Sequence, residues 1–116
     1  MFVLDASAMV ALFDSYEPLR ELWFRADSGE IALAFPASAM LEAGDRAGIS
    51  STAWDPLLWS TSMLVLPLGE AAAKQLGTRT GSHAARHAVW ESNATGWPVL
   101  TCEPDQFGAG VHLYSV

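Results

Sequence analysis

The opening stretch Phe2-Val3-Leu4-Asp5-Ala6-Ser7 decides how this chain is read. Three apolar residues end in a carboxylate. The residues that follow place Met9, Val10 and Phe13 at helical spacing. A short apolar run passing directly into a helix is the strand–helix start of an α/β fold. Asp5 then stands at the carboxyl end of a buried strand, the position at which open α/β sheets gather their chemistry. The strand is expected over Phe2–Asp5, with Ser7 as the cap of the helix.

Outward from that start, apolar and helical segments alternate. Glu17–Ala26 carries Leu19, Leu22, Trp23 and Ala26 on one helical face. Ile31–Phe35 reads as a second strand stopped by Pro36, and Ser38 as the cap of a helix carrying Met40, Leu41 and Glu42. Trp54–Trp59 is expected to make a helical turn or two, and Met63–Leu66 a third strand. Glu70–Leu76 is an alanine-rich helix ended by Gly77. Ser82 caps a helix running to about Thr95, with Gly96 as its terminator. Val99–Cys102 is the fourth strand, and Val111–Tyr114 an edge strand. This alternation predicts a single α/β domain over 1–116, a three-layer α/β/α sandwich with a mainly parallel central sheet. Trp23, Trp59 and Trp97 are expected in or near the core, while Trp54 and Trp90 are harder to bury by pattern.

Composition narrows the function. Half the chain is hydrophobic (51%), which argues against disorder. No apolar run approaches the roughly 20 residues that span a bilayer, and no basic stretch precedes the first apolar residues, so neither a membrane span nor a signal peptide is expected. The single cysteine, Cys102, cannot form an internal disulfide, which fits a reducing cytoplasm. The net charge of -7, with only six Lys and Arg, repels nucleic acid as a whole. Binding to RNA would therefore need a local patch, and Arg79, His83, Arg86 and His87 form the densest positive stretch.

In a parallel sheet, strand ends and the helix starts that follow them share one edge. Asp5, Glu42, Ser82 with His83, and Glu103 with Asp105 are placed there. Carboxylates so gathered suit Mg²⁺ or Mn²⁺, which prefer oxygen ligands. Other chemistries do not fit. There is no glycine-rich phosphate loop. Ser7 replaces the second Asp of a phosphatase-type nucleophile, and no lysine follows the third strand as a receiver domain requires. His83 and His87 have the i, i+4 spacing of a zinc pair but lack a third ligand, and the pattern places them on the surface.

The ordered set of these motifs resembles the PIN-domain family of the VapC-like toxin type. Phe2-Val3-Leu4-Asp5-Ala6-Ser7 is similar to its first motif, and Ser38-Ala39-Met40-Leu41-Glu42 to its second. Gly96-Trp97-Pro98-Val99-Leu100-Thr101 with Cys102-Glu103-Pro104-Asp105 is similar to its last strand and fourth acidic motif. The resemblance implies a metal-dependent endoribonuclease, the toxin of a toxin–antitoxin pair. It would use Mg²⁺ or Mn²⁺ held by Asp5, Glu42 and Glu103, with Ser7, Ser82, His83, Arg86, Thr101 and Asp105 as auxiliary residues. It also implies a homodimer held by an antitoxin or other protein partner. The chain departs from the family where an Asp should open the helix before the last conserved strand: Ser82 and His83 stand there instead. One missing carboxylate at 4 Å removes about 4 kcal/mol of attraction at an effective dielectric near 20. A catalytically degenerate PIN-like regulator that binds protein or RNA is thus the alternative expectation.

Overall fold

The computed structural model describes residues 1–116. Five short strands, β1 (Phe2–Leu4), β2 (Leu33–Pro36), β3 (Met63–Leu66), β4 (Val99–Thr101) and β5 (Leu113–Ser115), form one sheet in the order β3-β2-β1-β4-β5. Every pairing is parallel. The helices are α1 (Ala6–Phe13), α2 (Glu17–Asp27), α3 (Ala37–Ala47), α4 (Asp55–Leu58), α5 (Glu70–Leu76) and α6 (His83–Thr95). The chain runs outward from β1 to β2 and β3 on one side, then returns to place β4 and β5 on the other. The order therefore reverses between β1 and β4, and the crevice beyond their carboxyl ends is the switch point where such sheets bind ligands.

The period of two along a strand sends alternate side chains to opposite faces. Leu4, Leu33, Phe35, Met63 and Leu100 pack with Met9 and Leu12 of α1 and Leu19 and Leu22 of α2. Val3, Ala34 and Val99 point the other way, onto Ala88 of α6. Helices thus cover both faces, giving the expected three layers. The small residues Ala84, Ala85, Ala88 and Ser92 are all buried, and their size lets α6 lie close to the sheet. Burying each large side chain of this core stabilises the fold by roughly 1.5–3 kcal/mol.

Several elements match their sequence signals. β3 and α5 have the expected bounds, and α6 begins at a Ser82 cap and ends at Gly96, whose φ of 77° is the left-handed conformation glycine accepts without strain. Others differ for physical reasons. Asp5, not Ser7, caps α1: its carboxylate accepts from the Ala8 amide, so β1 stops at Leu4. Pro36 closes β2 from within and occupies the cap position of α3, so Ser38 is already helical. β5 lies at Leu113–Ser115, two residues later than expected at its start and one at its end. Trp54 is buried, edge-on to Phe13 at 4.8 Å between ring centres. Trp59 is 79% exposed, because four-residue α4 ends before it and turns it outward. His87, expected on the surface, is fully buried between α6 and α3. No helix is long and apolar enough to cross a membrane.

Candidate functional site

Asp5 caps α1 from the carboxyl end of β1 and is 1% exposed. A buried carboxylate is costly unless donors surround it. Four do so here. Oδ1 accepts from the Ser7 hydroxyl at 2.7 Å and the Ala8 amide at 2.8 Å; Oδ2 accepts from the Thr101 hydroxyl and from Gln106 Nε2 at 3.1 Å. Each hydroxyl is itself fixed from behind. The Cys102 amide donates to Ser7 Oγ at 3.0 Å, and the Glu103 amide to Thr101 Oγ1 at 2.9 Å. Two hydroxyl relays thus tie the backbone beyond β4 to the two oxygens of Asp5. Burial pushes Asp5 above its ordinary carboxylate value. The hydrogen bonds from Thr101, Ala8 and Ser7 pull it back, and the negative charge of Glu103 adds to the rise.

Glu42, in the second turn of α3, and Glu103, after β4, meet through one cation. Arg46, four residues beyond Glu42, places Nη2 2.9 Å from Glu42 Oε2 and Nη1 3.0 Å from Glu103 Oε1. Desolvation acts to lower the Arg46 value. The hydrogen bond and charge of Glu103, then the charges of Glu42 and Asp5, outweigh it and raise the value. All three carboxylates therefore act on the same guanidinium. Gln106 links the parts, since its Nε2 also reaches Glu103 Oε1 at 3.4 Å. Cys102 sits beside them with its thiol pushed up by burial and by the charges of Asp5 and Glu103. That disfavours the thiolate needed for a nucleophile.

The fold thus joins Asp5, Ser7, Thr101, Glu42 and Glu103 into one bonded group. It does not join the other candidates to it. Ser82 serves as the cap of α6, accepting from the Ala85 amide at 3.0 Å. His83 is exposed and lines a hollow with Leu68, Leu76 and Arg86. Arg86 donates to the Leu76 carbonyl at 2.6 Å. Asp105 is exposed in the 3₁₀ turn Pro104–Gln106 and makes no hydrogen bond or ion pair. Of the expected positive stretch, buried His87 leaves the surface, while Arg79 and Arg86 line a pocket with Leu76, Thr80, Gln106 and Phe107. Gln106 therefore belongs to both the pocket and the Asp5 group.

Two members escaped the sequence reading. Arg46 carried a signal in its i, i+4 spacing from Glu42, the spacing of a helical ion pair. Gln106 carried none, since only the path of the chain after β4 brings it to Asp5.

The chemistry of this donor set suits a hard divalent cation: its three carboxylates supply only oxygen. The Arg46 guanidinium already neutralises two of them, Glu42 and Glu103. No cluster of three or more His, Cys, Asp or Glu side chains is drawn together at metal-binding spacing. No protein-family model matches the sequence, and no curated protein matches it significantly.

Proposed function

We propose that this chain is a PIN-like, metal-dependent endoribonuclease, the toxin of a toxin–antitoxin pair. The observation that carries the reading is the placement of Asp5: a buried carboxylate at the sheet's switch point, with Glu42 and Glu103 sharing a cation beside it. On this reading Asp5, Glu42 and Glu103 hold Mg²⁺ or Mn²⁺. When bound, the ion would activate water toward a phosphodiester and neutralise the leaving oxygen.

The chain's own residues have distinct tasks. Ser7 and Thr101 fix the two oxygens of Asp5, so the carboxylate is oriented before any ligand arrives. Arg79 and Arg86, in a pocket that Gln106 also lines, would offer positive charge to the RNA backbone. Phe107 in the same pocket offers a face on which a base can stack. An antitoxin or other protein partner and a second copy of the chain are the proposed assembly partners, and cytoplasm the proposed compartment.

The test is cleavage of a structured RNA by the purified protein in Mn²⁺. Asp5→Asn should reduce the rate by at least about a hundredfold, the scale of losing a group that stabilises the transition state. An unchanged rate would end the proposal. A second reading, a degenerate PIN-like regulator, is favoured by Arg46 on the carboxylates and by Ser82 and His83 at the position where the family has Asp. It expects RNA or protein binding without cleavage.

A further inference from the structure

Six Lys and Arg side chains serve a chain of net charge -7. Four of them, Arg20, Arg25, Arg46 and Lys74, are bonded to carboxylates. The other two, Arg79 and Arg86, pair with no carboxylate, and both line one pocket of about 230 Å³ between the α5–α6 loop, α6 and the turn after β4. No Asp or Glu lines it. Arg86 is fixed from behind. Its Nη1 donates to the Leu76 carbonyl at 2.6 Å and its Nε to the Ser82 carbonyl at 3.4 Å. Leu76 ends α5, so this bond also satisfies a helix-terminal carbonyl. Arg86 Nη2, the Arg79 guanidinium and the Thr80 hydroxyl keep their donors for a ligand.

The geometry points to a site for the terminal phosphate of a nucleotide, either a free mononucleotide or the phosphorylated end of an RNA. Two unneutralised guanidinium groups match a dianion. A phosphate monoester carries about -1.5 to -2 charges at neutral pH. An internal phosphodiester carries only one and would leave one arginine uncompensated. The planar fork of arginine meets phosphate oxygens in paired hydrogen bonds, and an Arg86 already held in place loses little freedom on binding. Leu76, Val89, Phe107 and Val111 give the pocket its apolar wall, and an aromatic ring suits a base. Gln106 spends its Nε2 on Asp5 and Glu103 and keeps Oε1 as an acceptor. The volume lies below the roughly 300–1,000 Å³ of pockets that enclose a drug-sized molecule, so it suits one terminal unit rather than a run of chain. This rests on the reading of the pocket as an RNA contact and narrows it to the strand end; it needs neither a metal ion nor cleavage.

The experiment is a titration of nitrogen-15-labelled protein followed by nitrogen–proton correlation spectra, in EDTA so that no divalent ion takes part. The probes are inorganic phosphate, uridine, uridine 5′-monophosphate, a short polyglutamate, and pentauridylate phosphorylated at its 5′ end, at its 3′ end or at neither. The proteins are wild type, Arg79→Gln and Arg86→Lys, with circular dichroism checking each fold. Arg79 makes no side-chain bond to the protein, so its variant should fold as wild type does. The expected result is that phosphorylated probes shift the Thr80, Gly81, Phe107 and Gly108 amides of wild type. Uridine and unphosphorylated pentauridylate should bind at least about tenfold more weakly, and Arg79→Gln should lose at least about tenfold, the scale of one charged hydrogen bond. Arg86→Lys keeps the charge and loses the fork, so it should weaken binding less than Arg79→Gln does. Tightest binding by the mononucleotide assigns the site to a free ligand, and tightest binding by a phosphorylated pentauridylate assigns it to a strand end; both support the inference. Equal affinity for pentauridylate with and without a terminal phosphate overturns it and leaves the RNA-backbone reading standing. Unchanged affinity in Arg79→Gln, or inorganic phosphate binding as tightly as the mononucleotide, overturns it as well. So does a preference for polyglutamate, which would assign the pocket to an acidic protein partner. No binding by any nucleotide or RNA overturns the RNA contact and this inference together.

Discussion

Two ionisable side chains are buried in this molecule, and they are held in opposite ways. Asp5 receives four donors from four places: the helix it caps, the hydroxyl two residues on, the end of β4 and the turn after it. His87 is equally buried but only half satisfied. Its Nδ1 meets the Ser38 hydroxyl at 3.1 Å and amide at 3.4 Å, while Nε2 lies 3.5 Å from Glu91 and has no hydrogen-bond partner. Asp5 is over-determined by its surroundings, which is how a protein keeps a charge at a fixed point for use. His87 braces α6 against α3 and tolerates an unpaired nitrogen, as a neutral side chain can. The contrast separates a carboxylate held by donors on both oxygens from a histidine held chiefly by packing.

The largest effect should come from emptying the better satisfied position. Asp5→Ala leaves two buried hydroxyls and a helix-terminal amide without their acceptor, and should cost about 2–4 kcal/mol in urea denaturation. A cost below about 0.5 kcal/mol would mean that the four donors find water as readily as Asp5, and the contrast with His87 would fail. Next, Thr101→Val removes one relay: it leaves Asp5 Oδ2 with Gln106 as its remaining donor and the Glu103 amide without its acceptor. It should cost about 1–2 kcal/mol, while His87→Leu, which removes the unpaired nitrogen along with the bond to Ser38, should cost less than Asp5→Ala in the same assay.

The two groups also differ in what acid does. Burial lowers the His87 value below the ordinary 6.5, against the opposing pull of Glu91 and the Pro67 carbonyl. The unfolded chain therefore takes up this proton first as pH falls. The stability that neutral His87 contributes is present above about pH 6.5 and is lost as pH drops from there toward the lower folded value. Ser38, Glu91 and the Pro67 carbonyl are the polar groups facing the ring, and only Glu91 favours the protonated form by its charge. Thermal melts at pH 7.5 and 5.5 should show wild type losing a few degrees more than His87→Leu. Equal losses would assign the acid sensitivity elsewhere.

These positions were unequally readable in the sequence. Asp5 was visible because a carboxylate closing an apolar run admits few structural roles. β3, α5 and α6 were visible because Gly77, Ser82 and Gly96 mark their ends with residues whose backbone preferences are strong. The strand order was not visible, since the same alternation of elements allows several parallel orders. The burial of His87 and the exposure of Trp59 were missed for a common reason: both depend on which neighbour lies across the element, and periodicity reports only which residues share a face. Arg46 stands apart from the dense positive stretch along Arg79 to His87, so local charge density does not mark it. The cation that joins Glu42 to Glu103 is a single arginine one helical turn past an acid.

That arginine gives the smallest expected stability change and the sharpest use of the comparison. Arg46 and both its partners are partly exposed, so solvent screens the pairs, and exposed ion pairs are worth about 0–1 kcal/mol. Arg46→Gln should therefore change urea stability by less than about 0.5 kcal/mol, against the 2–4 kcal/mol expected for Asp5→Ala. If Arg46 is a brace like His87, fixing α3 to the turn after β4, its loss should loosen that turn. Hydrogen exchange separates the two cases. A solvent-screened ion pair predicts that the amides of Cys102, Glu103 and Gln106 keep their protection in Arg46→Gln, because the Asp5 relays that hold Cys102 and Glu103 do not pass through Arg46. Faster exchange confined to those amides would place Arg46 with His87 among the packing groups, and leave Asp5 alone as the site's fixed point.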